Sequence, residues 1–343
     1  MTFPNYNREQ SYDWNYKNVP AAVCLEIKDI PGTFDFCGLP VRSPLGMPAG
    51  PLLNGRWCLY YASLGFDVVT YKTVRNVQRD CYPLPNLVPV MTADLFGGEG
   101  TVPADHHMNG SWAVSYGMPS QNPDVWQADI ADTRRQLPPD KVLSVSVVGT
   151  VQPDWTLEQL AEDYALCAKL AIESGADCVE ANFSCPNVST CDGQLYQNPM
   201  DCGLVVQTIR QAIGDIPLIG KIGRLQDAQE SQRLVEQLHP YVNALAMTNS
   251  IATRVRHDDG ELMFQGEQRG ICGKATLEAS VDQTQQMSSI IDEHGFQVQL
   301  IGVGGVSCVE DVHRYMEAGA HAVHIATAAM TNPEVALEIR SQW

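Results

Sequence analysis

The feature that most constrains this chain is a pattern repeated along its length. A short, β-branched apolar run bounded by glycine or proline is followed by a segment with helical periodicity. Runs of this kind are typical of parallel strands buried on both faces of a sheet. Eight such strands are predicted, at residues 41–50, 66–73, 141–150, 177–184, 216–223, 243–250, 298–305 and 321–328.

Amphipathic segments between these runs predict helices. In the segment 156–174, apolar residues recur on one side, and Thr156 is suited to cap the first turn. Further helices are predicted at 201–213, 227–238, 276–293 and 309–318, and Gly175, Gly214 and Gly319 follow three helix ends as expected for C-terminal caps. Eight such units predict an α/β fold, a (β/α)₈ TIM barrel. The rival doubly wound sheet is disfavoured because no GxGxxG follows an early strand.

The spacing between the predicted strands is uneven. Insertions are predicted at about 74–140, after the second strand, and at about 251–274, after the sixth. Both leave the C-terminal end of the barrel, where barrel enzymes carry their active sites, and loops of that length are usually functional. We therefore predict one domain spanning residues 1–343, with both insertions at its active face.

Composition excludes several classes of protein. Lys and Arg number 22 and Asp and Glu number 40, for a net charge of −18, which disfavours nucleic acid and anionic membranes as partners. The 11 cysteines include no CxxC, so no zinc or iron–sulfur site, and no other metal, is predicted. The N-terminus lacks an apolar signal core and no run approaches 18 apolar residues, so a soluble cytoplasmic protein is expected.

Five reactive or polar side chains occur at the ends of four predicted strands. A buried lysine is costly without a partner, so each strand-end lysine either pairs with a carboxylate or holds an electron-rich ligand. The segment NFSCPN places a thiol between two amides; an amide suits the edge of a heterocycle, and a cysteine of lowered pKa can move a proton. The five residues are Lys72, Asn182, Cys185, Lys221 and Asn249, and Asn187 is the second amide.

Glycines near the end of the chain predict a phosphate site. Gly304 and Gly305 close the seventh strand, and Ala326 and Thr327 close the eighth. Barrels often bind phosphate with the backbone N–H groups of these two loops, and glycine allows the close approach. Gly273, in the second insertion, could add another backbone donor.

Taken together, these segments resemble the dihydroorotate dehydrogenases, FMN-dependent (β/α)₈ barrels related to the flavin domain of dihydropyrimidine dehydrogenase. The resemblance runs from about Ser43 to Pro333, in family order and spacing, and a cysteine in NFSCPN is typical of the soluble branch. The matching segments are SPLGMPAGP, GFDVVTYKTV, ANFSCPNV, GKIG, MTNSI, RGICG, IGVGGV and HIATA.

The resemblance implies a reaction and the residues that perform it. Cys185 would be the base that removes a proton from C5 of a dihydropyrimidine while hydride leaves C6 for flavin N5, and Lys72 would act beside it. The implied substrate contacts are Lys72, Asn182, Asn187, Asn249, Ser250, Gly117 and Met118. The implied FMN contacts are Ala49, Gly50, Lys72, Thr73, Asn182, Lys221, Gly273, Gly304, Gly305, Ala326 and Thr327, with Lys221 beside the N1–C2 edge.

One segment departs from the family pattern. The soluble enzymes typically carry Asn-Ser-x-Gly-Leu-Pro-Asn in the first insertion, where the first asparagine binds orotate. Here the sequence is Val-Ser-Tyr-Gly-Met-Pro-Ser, beginning at Val114, and Asn109 is the nearest amide that could replace the missing one. Dihydroorotate is the first substrate expected; the alternative is a dihydrouracil-like or other cyclic amide.

Two other classes of function remain open from the residues. Lys72 or Lys221 could form a Schiff base as in barrel aldolases, although the asparagine-flanked Cys185 has no purpose in that chemistry. The second class is a flavin-binding protein that catalyses no reaction. The electron acceptor is expected to be a soluble compound or a separate electron-transfer subunit, and the resemblance implies a homodimer.

Overall fold

The structure is a computed structural model that describes residues 3–184 and 194–343. Eight parallel strands form a closed barrel, in which the last of the eight along the chain pairs with the first to complete the ring. Seven lie within the predicted runs and the second along the chain extends one residue beyond its run, so the predicted TIM barrel is confirmed. The barrel strands are β3 (Leu45–Met47), β4 (Val68–Val74), β8 (Val142–Val147), β9 (Cys178–Asn182), β10 (Leu218–Lys221), β11 (Ala244–Met247), β14 (Gln299–Val303) and β15 (Ala322–His324).

Helices alternate with these strands around the barrel. The helix predicted at 156–174 begins with a capping box, in which Thr156 and Gln159 each bond the other's backbone N–H. All five predicted helices are confirmed, with ends that differ by a few residues. The helices are α2 (Gly55–Ser63), α3 (Pro123–Gln136), α4 (Leu157–Glu173), α5 (Pro199–Ile213), α6 (Ala228–Leu238), α7 (Leu277–His294), α8 (Val309–Glu317) and α10 (Val335–Gln342).

The first predicted strand is longer than the observed one. The run 41–50 contains only the three-residue strand β3, because Val41 ends a separate hairpin and Pro44 has no N–H for the sheet. This hairpin, β1 (Phe34–Phe36) and β2 (Leu39–Val41), closes the N-terminal end of the barrel. Phe36 is fully buried there against apolar residues of the strands, such as Val68 and Ile219. The bottom of the barrel is therefore a packed apolar plug.

The two insertions meet in a second sheet, which the sequence did not predict. Its strands are β5 (Leu87–Pro89), β6 (Thr101–Pro103) and β7 (Ser111–Val114) from the first insertion, and β12 (Ile251–Arg256) and β13 (Arg269–Gly273) from the second. Their order is β5-β7-β13-β12-β6, and β7 and β13 run antiparallel, with Ser111 opposite Gly273.

Shorter elements complete the fold. The first insertion also contains helix α3, which belongs to the ring around the barrel. No helix in the two described ranges is long and apolar enough to cross a membrane. The remaining elements are α1 (Tyr12–Lys17), α9 (Thr327–Thr331) and single helical turns at Leu195–Gln197, Phe264–Gly266 and Lys274–Thr276.

A buried ionic network fastens the C-terminal helix to the barrel. Asp67, just before β4, accepts from Arg340 at 2.6 Å and from Lys141 at 2.9 Å. The hydroxyl of Ser43 donates to the same carboxylate, and Arg340 also donates to the carbonyl of Gly65. Both Asp67 and Arg340 are 1% exposed. Removing one partner would leave a buried charge only partly compensated.

We expect Arg340→Met to lower the free energy of unfolding by about 3 kcal/mol, because Asp67 would keep only Lys141 as a charged partner. Denaturant titration followed by circular dichroism measures the change. The matched control is Arg135→Met, which breaks the exposed pair with Asp132 and should cost less than about 1 kcal/mol. Equal losses in the two variants would contradict a structural role for the buried network.

Candidate functional site

A cavity of about 340 Å³ lies at the C-terminal end of the barrel, beneath the sheet formed by the insertions. Its size is that of an ordinary small-molecule site. Residues that had been predicted from widely separated segments come together on its wall. Those that line it are Gly50, Lys221, Asn249, Ser250, Gly273, Gly304, Gly305, Ala326 and Thr327.

Glycines form one part of this wall. Gly305 has a φ of +75°, and a Cβ there would lie 2.5 Å from the Cβ of Leu277. A Cβ on Gly304 would lie 2.5 Å from the hydroxyl of Ser280, and one on Gly273 would collide with the carbonyl oxygen of Gly110. Because the protein's own atoms occupy the Cβ side of these positions, they require glycine, and their backbone forms part of the cavity wall. That surface suits the phosphate of a nucleotide or flavin.

Lys221, at the end of β10, is a cation on the cavity wall. Its ammonium lies 3.7 Å from a carboxylate oxygen of Glu180, on the neighbouring strand β9. Both side chains are almost completely buried. The sequence left two possibilities for this lysine, a carboxylate partner or an electron-rich ligand. The structure supplies the carboxylate and also leaves Lys221 on the cavity wall.

His324, at the end of β15, also lines the cavity. Its ring stacks on Phe36 at 5.8 Å and fills the space that a Cβ on Gly46 would need. Neither ring nitrogen has a hydrogen-bond partner in the described part of the chain. Burial, with a smaller contribution from Lys221, lowers the pKa of His324 to about 3, so the imidazole is neutral at physiological pH.

Lys72, at the end of β4, is held on a different side of the site. Its ammonium donates to the carbonyl of Gly50 at 3.0 Å and lies 4.4 Å from the ring centre of Tyr116. Tyr12, from helix α1, lies over the same ammonium at 5.7 Å. Lys72 and Tyr12 therefore do not line the cavity themselves but pack against Tyr116, which does. Thr73, the next residue, shares a hydrogen bond of 3.0 Å with Ser146.

Asn182 connects β9 to the first insertion. Its amide nitrogen lies 3.7 Å from the sulfur of Met118, and its amide oxygen accepts from the N–H of Ser184 at 3.1 Å. Because sulfur is a weak acceptor, a ligand carbonyl could take its place. Met118 has a φ of +51°, and such strained backbone is common at binding sites. Gly117, beside it, has a φ of +72°.

The remaining predicted residues divide into three groups. Asn249 donates to the carbonyl of Ser184 and lines the cavity with Ser250. Ala49 is buried beside Gly50 and does not line the cavity. Cys185 and Asn187 lie outside the described residues, so their predicted roles stay predictions.

Two positions in the first insertion bear on substrate choice. Val114 ends β7 and places its apolar side chain on the cavity wall. Asn109 is exposed and donates to the carboxylate of Asp105. The suggestion that Asn109 replaces the missing amide is therefore wrong, because a neighbouring carboxylate holds its side chain at the surface.

Glu180, His324 and Tyr12 lie at or near the site, and none of the three was predicted from the sequence. Alternation along β9 offered a signal for Glu180, since residues two apart on a strand face the same side and Asn182 was already singled out. Tyr12 gave no signal, because nothing in a polar N-terminal segment indicates which strand end it will cover. In the two described ranges, no group of three or more His, Cys, Asp or Glu side chains could hold a metal ion.

A sequence model described as dihydroorotate dehydrogenase matches residues 33–342. The chain belongs to this family. A dihydroorotate dehydrogenase of Dictyostelium discoideum is 30% identical, over 98% of this chain and 96% of the relative.

More distant relatives of two other kinds are also similar. They are a catalytic subunit of dihydroorotate dehydrogenase B (NAD(+)) from Staphylococcus carnosus, 24% identical over 64% of this chain and 67% of the relative, and a dihydroorotate dehydrogenase (quinone) from Glaesserella parasuis, 24% identical over 91% and 87%. The crystal structure of an Eimeria tenella DHODH in complex with ferulenol superposes with a TM-score of 0.75 at 18% identity. It covers 94% of this chain and 86% of that chain, and supports the barrel fold.

The buried neutral histidine makes a prediction for stability against pH. In the unfolded chain His324 binds a proton near its ordinary pKa of 6.5, whereas the folded protein resists protonation down to about pH 3. The unfolded state therefore binds more protons between these values, and the free energy of unfolding falls as the pH is lowered through that range.

We expect the free energy of unfolding of the wild type to fall by about 2 kcal/mol more than that of His324→Gln between pH 7 and pH 5. Urea titrations at the two pH values measure this. His107→Gln, at an exposed position, controls for the loss of a histidine. A pH dependence that is the same in wild type and His324→Gln would show that the ring is protonated within the fold.

Proposed function

We propose that this chain is an FMN-dependent dehydrogenase that oxidises dihydroorotate to orotate in pyrimidine biosynthesis. Membership of the dihydroorotate dehydrogenase family supports the reaction. The observation that carries the cofactor assignment is the cavity wall itself. It combines a backbone surface at Gly304 and Gly305, which no side chain can fill, with the cation Lys221.

The described residues fit FMN in two respects. The loops after β14 and β15 offer backbone donors for its phosphate, through Gly304, Gly305 and Thr327. Lys221 provides positive charge for the electron-rich edge of its ring, while Gly50 leaves open space at the end of β3. Bound FMN supplies the acceptor for the two electrons that leave the substrate.

The protein's own groups then bind the substrate and take its proton. In this proposal Asn182 and Asn249 hydrogen-bond the pyrimidine, together with Asn187, and Lys72 supplies positive charge close to the substrate carboxylate. Cys185 accepts the proton from C5, and a double bond forms between C5 and C6. The electron acceptor is a soluble compound or a separate electron-transfer subunit, and the resemblance to the soluble branch supports a cytoplasmic homodimer.

The primary experiment is an anaerobic visible spectrum of the purified protein before and after addition of L-dihydroorotate. We expect flavin absorbance that the substrate bleaches. Cys185→Ala should slow the bleaching by about 10²-fold or more, the usual loss for a general base, whereas Cys24→Ala, at an exposed position, should not.

Each result of this experiment has a clear meaning. Flavin absorbance without bleaching would keep the cofactor and reject the substrate, and an unchanged rate in Cys185→Ala would remove that thiol from the mechanism. A colourless protein that FMN cannot reconstitute would contradict the proposal. Trapping of a carbonyl substrate by borohydride would then favour the Schiff-base lysine.

Gly305→Ala tests the phosphate surface. We expect the dissociation constant for FMN to rise about 100-fold, because a positive φ is strained for alanine and the new Cβ would collide with Leu277. Quenching of FMN fluorescence by the apoprotein measures it. Gly295→Ala is the matched control, since Gly295 also has a positive φ, of +66°, but faces open space. Equal FMN affinities in the two variants would contradict this assignment.

A second candidate substrate follows from Val114. An apolar side chain on the cavity wall favours a ring with fewer polar substituents, such as dihydrouracil or another cyclic amide.

We expect Val114→Asn to raise kcat/KM for dihydroorotate about tenfold, because one added hydrogen bond contributes roughly that factor. Val114→Leu, of similar size but without an amide, is the control and should give no increase. Steady-state assays with dihydroorotate and dihydrouracil compare the variants. If dihydrouracil is oxidised faster than dihydroorotate by the wild type, the second candidate replaces the first.

A further inference from the structure

Glu180 is a buried acid to which the proposed reaction assigns no role. It lies in the middle of β9 and faces the barrel interior, flanked in register by Ser146 on β8 and Ile219 on β10. The side chain is 1% exposed, and it is not part of the cavity wall. Lys221 is, so the lysine stands between the carboxylate and the cavity.

The contact between the two groups is electrostatic only. Their closest approach is 3.7 Å, beyond hydrogen-bond distance, and neither carboxylate oxygen of Glu180 has a hydrogen-bond partner within residues 3–184 and 194–343. Removing such a charge from water costs several kcal/mol that one unbonded partner does not fully return. The ion pair as a whole therefore adds little stability over two apolar side chains, and its charges are better explained by their effect on the cavity.

The other group close to Lys221 carries no charge. His324 lies beside Lys221, is fully buried and has no hydrogen-bond partner in the described part of the chain. Its ring is neutral under physiological conditions, as described above. The three side chains Glu180, Lys221 and His324 together have a net charge of zero. Without Glu180, the same region would present one uncompensated positive charge to the cavity.

We propose that Glu180 cancels the positive charge of Lys221 and thereby holds the midpoint potential of the bound flavin below the value that Lys221 alone would set. This inference rests on the proposed function, because it requires FMN in the cavity beside Lys221. It assigns Glu180 a positioning and charge-balancing role, in which it acts through the lysine and contacts no reacting atom.

The direction of the effect follows from the charge of the reduced cofactor. A positive charge beside the ring favours the reduced flavin, which is negatively charged, and therefore raises the potential. Glu180 opposes this and makes the flavin easier to reoxidise. A lower potential favours the transfer of electrons from the reduced flavin to an acceptor. It makes the flavin hold less tightly the electrons that it takes from the substrate.

The test is the midpoint potential of the FMN-loaded wild type and of Glu180→Gln, measured by spectroelectrochemical titration. We expect the variant to favour reduced over oxidised flavin about tenfold more than the wild type, which for a two-electron couple is about +30 mV. That factor is the order produced by one unit charge at about 10 Å in an effective dielectric of about 20. Glu173→Gln, which removes an exposed acid, is the matched control and should leave the potential unchanged. An unchanged potential in Glu180→Gln would overturn the inference.

Glu180→Met decides the question if Glu180→Gln does not fold, because its apolar side chain needs no hydrogen bond in the barrel interior. It removes the same charge and keeps Lys221, so we expect the same shift of about tenfold towards reduced flavin. Glu180→Asp, which keeps the charge, should stay within about threefold of the wild type. An unchanged equilibrium in Glu180→Met would overturn the inference. Failure of the wild type to bind FMN would instead reject the proposed function. The two failures are therefore distinguishable.

Discussion

The closed ring of hydrogen bonds between β15 and β3 is the constraint on which the rest of the structure depends. Closure leaves the barrel no free edge and forces every second side chain of eight strands into one narrow interior. The lower part of that interior is filled by apolar side chains and sealed by Phe36. The ends of the strands are left for the larger polar side chains, and Lys72, Asn182 and Lys221 lie there near the cavity or the loops around it.

Burial makes the charges in this upper part effective. The chain has a large excess of acidic residues, yet two of its lysines are almost completely buried at strand ends. The field of a buried ammonium is screened less by water and salt than the fields of exposed carboxylates. The field at the site is therefore set by a few local partners, such as Glu180 and the carbonyl of Gly50, and not by the net charge of the protein.

The sequence predicted those parts of the molecule that depend on local periodicity. All eight barrel strands and the five predicted helices are present, because burial on both faces and amphipathicity leave clear patterns in the residues. The cavity glycines were also predicted, since their position after the last two strands follows from the fold. Asn109 was not placed correctly, because a bond to its neighbour Asp105 decides where its side chain goes.

The parts that could not be predicted depend on contacts between distant segments. Neither insertion has enough apolar periodicity to indicate that β7 and β13 pair, and the pairing becomes evident only when the barrel brings both loops to one face. The same applies to Tyr12, which reaches Lys72 across the fold. His324 appeared in a matching segment, but only the structure reveals that Phe36 and Gly46 enclose its ring.

The pairing of the two insertions ties the roof of the cavity to both halves of the chain. Ala275, just after β13, donates to Ser111 in β7 across 164 residues of sequence. The closed barrel brings these distant loops to one face, where their strands share a sheet. A fragment that ended before the second insertion would lack β12 and β13, and would therefore leave the cavity without half of its roof.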